Sequence, residues 1–290
     1  MPCAAWLYED DAREPGPCVV LAHGFGAVRV ARLDAYAARF AGAGFRALVF
    51  DYRHFGASDG RPRQLLSVRR QLQDWRAAIE FARSLPGVDA DRVVAWGTSY
   101  SGGHVATIAA SDARLAGAIS QGPFLDGPSA LAAAGPRALA RMAGPALRDA
   151  VRALRGGPPV LIPIVAPPGE LAGMSQPYSD SGYRAMFADG DEFRNEFSAR
   201  ALLRIGLYRP GARAARIACP WLVCVCTRDT VTPPGPSIAA AARAPRAELR
   251  AYDCGHFDIY RGPVFERTVA DQVDFLERVV PPRPGLAPTR

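Results

Sequence analysis

Ser99, Asp229 and His256 are the side chains in this sequence whose types and order allow covalent acyl chemistry. Ser99 lies in "VVAWGTSYSGGHVA", residues 93 to 106, where an apolar run passes through small residues into a helix-like pattern. A serine hydroxyl is a weak nucleophile until a positioned base takes its proton. His256, in "YDCGHFDIY", is the candidate base, and Asp229, in "CTRDTVTPP", is the candidate acid that would hold its tautomer. Asp229 and His256 are 27 positions apart, yet each follows a strand-like run, so a parallel sheet would bring them to one edge. The chain order serine, acid, histidine is that of one known triad arrangement. Acyl chemistry also needs donors for a developing oxyanion. The amide of Phe25, in the turn "HGFG", and the amide of Tyr100, at the start of the helix after Ser99, are the expected donors.

Other residues compete for these roles. Ser101 is a second possible nucleophile, although it falls inside the first helical turn, and Asp126, Asp253 and Asp258 are alternative acids. Asp253 and Asp258 lie too close to His256 in sequence to reach the far side of its ring. His23 reads as a residue that steadies the "HGFG" turn, His104 as a packed polar residue, and Asp59 as a turn or helix-cap residue.

The scaffold for these groups is written in alternating patterns. Short apolar runs at 18–22, 45–50, 92–96, 115–120, 221–226 and 247–252 read as strands. Amphipathic stretches at 31–43, 67–84, 100–111 and 262–280 read as helices, and the alternation predicts a mostly parallel α/β sheet covered on both faces. About a hundred residues separate the fourth and fifth strands. A structureless loop of that length is uncommon in a compact domain, so the expectation is a helical insertion broken by prolines and placed over one sheet edge as a cap. The expected divisions are a first core part at 1–125, the cap at 126–215 and a second core part at 216–290.

Composition narrows the class. The chain has 290 residues, 49% of them hydrophobic, enough for a large core. All 35 basic residues are arginine, a bias that reads as the coding habit of a GC-rich, actinobacterial-like genome rather than selection for function. The formal charge of +7 is spread along the chain without a nucleic-acid motif, so nucleic acid is not an expected partner. Six cysteines are too sparse for a disulfide scaffold, with no CxxC pair for zinc; Cys224 and Cys226 read as buried thiols on one strand face. Neither a metal nor another cofactor is expected. No membrane-spanning run or signal-peptide pattern is evident, which gives the expectation of a cytoplasmic chain whose partner is a small ester or acyl substrate. Oligomeric state is left open.

Taken together, "HGFG", "DYRHFGASDG", "WGTSYSGG", "TRDTVTPP" and "GHFDIY" resemble the α/β-hydrolase superfamily, close to its serine-aminopeptidase-like and esterase-like branch with a helical cap. The resemblance covers nearly the whole chain and implies a serine hydrolase of carboxylic esters working through an acyl-enzyme. A peptidase or amide hydrolase, a thioester-releasing or cyclising acyltransferase of natural-product assembly, and a catalytically silent binding protein are the alternatives. Dehalogenase or epoxide chemistry would need a carboxylate at position 99. Three departures stand out: Ser101 replaces the last glycine of GxSxG, His54 stands where this family usually has glycine, and only 17 residues precede Cys18. The last leaves room for one strand, "AAWLY", so the usual opening hairpin is expected to lack a strand or to start upstream.

Overall fold

The computed structural model describes residues 1–9, 15–191 and 193–282. In chain order the strands are β1 (Ala5–Tyr8), β2 (Gly16–Ala22), β3 (Arg46–Phe50), β4 (Val88–Thr98), β5 (Gly117–Gln121), the short β6 (Leu161–Ile162) and β7 (Phe197–Ser198), β8 (Trp221–Cys226) and β9 (Ala247–Tyr252). The helices are α1 (Leu33–Gly42), α2 (Val68–Ser84), α3 (Tyr100–Ala109), α4 (Gly127–Ala134), α5 (Pro136–Leu154), α6 (Ser179–Arg184), α7 (Leu202–Ile205), α8 (Pro234–Ala241) and α9 (Gly262–Val279). Every apolar run read as a strand is one, and the four amphipathic stretches are α1, α2, α3 and α9. "AAWLY" contributes β1, which pairs antiparallel with β3.

The main sheet has the order β1-β3-β2-β4-β5-β8-β9, parallel apart from β1. Its inner strands β2, β3, β5 and β8 are buried along their whole length, which is why they read as unbroken apolar runs rather than alternating ones. At the edge, β9 carries the half-buried Glu248 and the exposed Arg250, charges that discourage pairing with another chain.

Crossovers between parallel strands are right-handed, so the direction of each step decides the face its helix covers. The step from β2 to β3 runs one way and puts α1 on one face, where it meets α9. The steps β3 to β4, β4 to β5 and β8 to β9 run the other way and put α2, α3 and α8 on the opposite face. The direction reverses between β2 and β4. Carboxyl ends of strands at such a switch point leave a crevice between two loops, and here the loops are "HGFG" after β2 and the Ser99 turn after β4.

Helix faces follow spacing. In α2 the buried residues Gln71, Trp75, Ile79 and Ala82 recur every three or four positions. In α9, Gln272 ties helix to sheet through side-chain hydrogen bonds with Trp96 (2.9 Å) and Gln121 (2.8 Å). Gln121 reaches Thr98 Oγ1 in turn (3.3 Å), which extends this buried polar chain to the residue before Ser99.

Between β5 and β8 the chain passes through α4, α5, the β6–β7 ladder, α6 and α7. Asp126 caps α4, accepting from the amide and hydroxyl of Ser129. Pro145 does not end α5, which runs through it for 19 residues; Arg141 and its neighbours Ala143 and Gly144 are exposed, so the carbonyl that loses its partner lies where water can serve it. The proline-rich stretch after α5 is extended rather than helical, because proline lacks the amide a helix needs and restricts the residue before it. The helical turn at Pro210–Arg216 packs on α3 and α8 of the main layer.

His54 shows how a non-glycine residue keeps the β3 loop. It takes a left-handed φ of 75°, the conformation glycine would supply, with its amide bonded to Asp59 O and its carbonyl to Gln64 N. Asp51 supports the same loop, accepting from the amides of Arg29 and Ala57 and from the Arg29 guanidinium. All six cysteines are unbridged, and Cys224 and Cys226 are buried in β8. The proline-rich end beyond residue 282 lies outside the described residues.

Candidate active site

Ser99 occupies a sharp turn between β4 and α3, with φ 55° and ψ −121°. A non-glycine residue at positive φ is strained, and neighbours must hold it there. Ser99 N donates to Gln121 O (2.7 Å), and Ser99 O accepts from Gly102 N (3.0 Å) and Phe124 N (2.9 Å). Close approach makes small residues obligatory around it: a Cβ on Gly97 would lie 2.5 Å from the Ser101 carbonyl oxygen, and one on Gly24 would lie 2.8 Å from Ser99 Cβ.

The turn presents Ser99 Oγ to His256 Nε2 at 3.0 Å, and His256 Nδ1 meets Asp229 Oδ2 at 2.6 Å. Ser99, Asp229 and His256 are 8%, 6% and 6% exposed, so their mutual hydrogen bonds are largely shielded from water. Asp229 is locked by its own loop: Oδ1 accepts from the amides of Val231 (2.8 Å) and Thr232 (2.7 Å), an Asx turn. That leaves Oδ2 for the imidazole.

Thr232 was not singled out in the sequence. Its hydroxyl lies 2.8 Å from Asp229 Oδ2, 3.0 Å from Gly122 O and 3.2 Å from His256 Nδ1, tying the acid loop to the end of β5. The signal was present in "DTVT", since an aspartate followed by a threonine three positions on often closes such a turn.

Phe25 and Tyr100 face the serine from two sides of the crevice. Neither backbone amide has an intramolecular acceptor among the described residues, and that of Tyr100 opens α3, where the helix dipole favours negative charge. Tyr183 donates to Phe25 O (3.0 Å), and the Phe25 ring packs edge-on against Tyr100 and Phe197. These contacts fix the loop that carries the Phe25 amide.

The competing residues are engaged elsewhere. Ser101 is fully buried, its hydroxyl 2.7 Å from the Tyr52 hydroxyl and 3.2 Å from Trp75 Nε1. Asp126 pairs with Arg209 (2.8 Å), Asp253 with Arg228 (3.0 Å), and Asp258 accepts from Gly255 N (2.8 Å). Asp59 sits in the β3 loop and binds His54 N through its carbonyl. His23 donates from Nδ1 to Gly24 O (3.0 Å), within the turn it was expected to steady, and burial lowers its pKa to about 4. His104 lies between Tyr208 (2.8 Å) and Gln71 (3.1 Å), and burial lowers its pKa to about 3. Both are neutral near pH 7. Among the described residues no group of three His, Cys, Asp or Glu side chains is placed to hold a metal, and no helix is long and apolar enough to cross a membrane.

Among the described residues, space adjoins the serine on two sides. On one is an apolar pocket of about 70 Å³ beneath α4 and α5, walled by Phe124, Leu131, Leu139, Met142, Met174 and Ile205. On the other is a gap of about 20 Å³ that touches both Ser99 and His256.

This sheet order, with a serine turn at the switch point and a histidine and an aspartate from the last two strand ends, defines an α/β hydrolase. The chain belongs to the serine aminopeptidase family S33, whose profile matches residues 13–260. It is 47% identical to the quorum-quenching protein AidA of Acinetobacter baumannii (strain MDR-ZJ06) over 279 residues, 96% of this chain and 92% of that protein. It is 27% identical to the polyketide transferase af380 of Aspergillus fumigatus, over 94% of this chain and 92% of that one. Among solved structures, DcsB in complex with its substrate analogue superposes with a TM-score of 0.82 at 26% identity, covering 94% of this chain and 93% of that one.

Proposed function

We propose that this hydrolase cleaves carboxylic esters through an acyl-enzyme on Ser99. The observation that carries the reading is the continuous hydrogen-bond path Ser99 Oγ, His256 Nε2, His256 Nδ1, Asp229 Oδ2, set beside the two free amides. Ser99 Oγ attacks the ester carbonyl while His256 Nε2 takes its proton, and the carbonyl oxygen becomes an oxyanion bound by the amides of Phe25 and Tyr100. Collapse breaks the bond to the alcohol oxygen, which leaves with the proton from His256. Water then attacks the acyl-enzyme, gives a proton to His256, and the acid departs as the proton returns to Ser99. Asp229 keeps Nδ1 protonated, so that Nε2 is the basic nitrogen, and stabilises the imidazolium. The name of the A. baumannii relative makes a quorum signal with an ester-type bond a candidate substrate.

A second reading, transfer of an acyl group from a thioester to an acceptor other than water, is favoured by the polyketide transferase relative. The same residues serve it, with the acceptor replacing water in the second half. The test is a fluorophosphonate probe together with p-nitrophenyl esters from acetyl to dodecanoyl, applied to the wild type and Ser99→Ala. Labelling and turnover lost in the alanine variant support the ester reading. Labelling without turnover of any ester would move the assignment to acyl transfer, and a folded protein that neither labels nor turns over would overturn both.

A further inference from the structure

The spaces beside Ser99 and His256 differ in size and lining, and the reaction geometry says which part of an ester each can take. At the tetrahedral carbon, the oxyanion must face the Phe25 and Tyr100 amides. The departing oxygen must lie beside His256 Nε2, because that nitrogen protonates it. The acyl chain takes the remaining direction.

The apolar pocket beneath α4 and α5 touches Ser99, Phe25 and Tyr100 but not His256, and no charged side chain lines it. His256 instead forms part of an open groove of about 590 Å³, bordered by Tyr178, Ser181, Arg228, Asp258 and Arg261. The 20 Å³ gap touches Ser99 and His256 alike, sharing Phe25, Ser99 and Met174 with the pocket and His256 and Phe257 with the groove. Holding a water takes about 10–15 Å³ of such space, so the gap suits the departing oxygen or the water that replaces it. The apolar pocket, at about 70 Å³, is several times larger than the gap and far smaller than the groove.

Resting on the ester reading above, we propose that the pocket beneath α4 and α5 binds the acyl chain and the groove beside His256 binds the alcohol. The preferred substrate is then an ester of a short apolar acid with a bulky polar alcohol. Leu131 from α4 and Leu139 and Met142 from α5 form one wall of the pocket, so acyl length is set by that segment. The groove carries Arg228, Asp258 and Arg261 on its rim and is open to solvent, so it admits a large hydrated group without burying it.

The experiment measures two quantities: the peak of kcat/KM across p-nitrophenyl esters from acetyl to dodecanoyl, and the kcat/KM ratio of 6-O-butyryl glucose to ethyl butyrate. Wild type is expected to peak between butyryl and hexanoyl and to fall at least tenfold by dodecanoyl. Met142→Ala should lengthen the preferred chain by about two carbons, and Ala134→Leu, which fills the same pocket without removing core packing, should shorten it. Ser181→Trp in the groove should lower the glucose-to-ethyl ratio at least fivefold and leave the position of the chain-length peak where it was. A flat profile to dodecanoyl, or pocket variants that move the alcohol ratio while the peak stays fixed, would overturn the assignment. A wild type that labels with fluorophosphonate but turns over none of these esters would instead overturn the ester reading on which the assignment stands.

Discussion

Asp229→Asn tests the candidate site at its most constrained point. Asp229 Oδ1 already accepts two backbone amides, from Val231 and Thr232, so an asparagine must keep its carbonyl oxygen on that side. Its NH2 then takes the place of Oδ2, 2.6 Å from His256 Nδ1. Two donors cannot share that distance, so the imidazole must present a lone pair at Nδ1 and carry its proton at Nε2. That proton faces Ser99 Oγ, 3.0 Å away, and the ring can no longer act as base. A wrong tautomer of this kind costs about 10⁴-fold in kcat, or about 5.4 kcal/mol of barrier at 1.36 kcal/mol per decade. Asp229→Ala, which leaves the ring free to choose its tautomer, is expected to retain more activity than Asp229→Asn despite the larger deletion. The assay is kcat/KM for p-nitrophenyl butyrate, with thermal melts to show that both variants fold. An asparagine variant within tenfold of wild type would refute the tautomer reasoning, and an alanine variant worse than asparagine would refute the claim that a freely chosen tautomer does less harm than a wrongly fixed one.

Ser101→Ala is expected to keep fluorophosphonate labelling at Ser99 while lowering stability by about 1–3 kcal/mol, because it strips a partner from the buried Tyr52 hydroxyl and Trp75 indole; intact-mass labelling and denaturant melts check this. Thr232→Val removes a hydroxyl shared by Asp229 and Gly122 and should lower kcat about tenfold with little change in KM, on a charge-assisted hydrogen bond of about 1.5 kcal/mol; rescue by Thr232→Ser would mark the hydroxyl rather than the methyl. Gly97→Ala drives a Cβ into the Ser101 carbonyl and should cost at least about 1–3 kcal/mol of stability, read as a drop in melting temperature, and should abolish fluorophosphonate labelling at Ser99. Acid should destabilise the fold. His23 and His104 titrate near 6.5 when unfolded, but only near 4 and 3 when buried, so the unfolded chain binds more protons through that interval. Their contribution is fully present above pH 6.5 and is lost as the pH falls toward 4 and then 3, on the order of 8 kcal/mol once both rings are protonated. His104→Gln should flatten the slope of melting temperature against pH between 6.5 and 4.

Some of this protein was legible before any fold. Strand and helix positions came from local pattern, because a strand buried on both faces must be apolar along its length and a helix covering a sheet must be apolar on one side. Such constraints act within a few residues, so β2, β5, β8 and α2 sit where the sequence put them. The serine turn was legible for the same reason: only small residues allow the close approach seen between Gly97 and the Ser101 carbonyl. Ser99, Asp229 and His256 were each placed just after a strand, and in a parallel sheet that position is one edge of the molecule.

Other features exist only when distant segments meet. Thr232 joins the acid to the end of β5, Tyr183 anchors the Phe25 loop from the segment between β5 and β8, and Gln272 reaches from α9 toward the residue before the serine; each partner lies more than a hundred positions away, beyond any local signal. Proline position misled in α5, where exposure, a tertiary property, let the helix continue through Pro145. His54 holds a glycine-like φ because its neighbours bond both of its backbone groups, which no residue propensity encodes. The sequence by itself determined the strands of the main sheet, the helices α1, α2, α3 and α9, their order, and the chemical types at the crevice, because each follows from the character of a short stretch. Tertiary structure alone decided the distances among those groups and the shape and size of the spaces beside Ser99, because these depend on how α4, α5 and the loops from opposite ends of the chain pack over the strand ends.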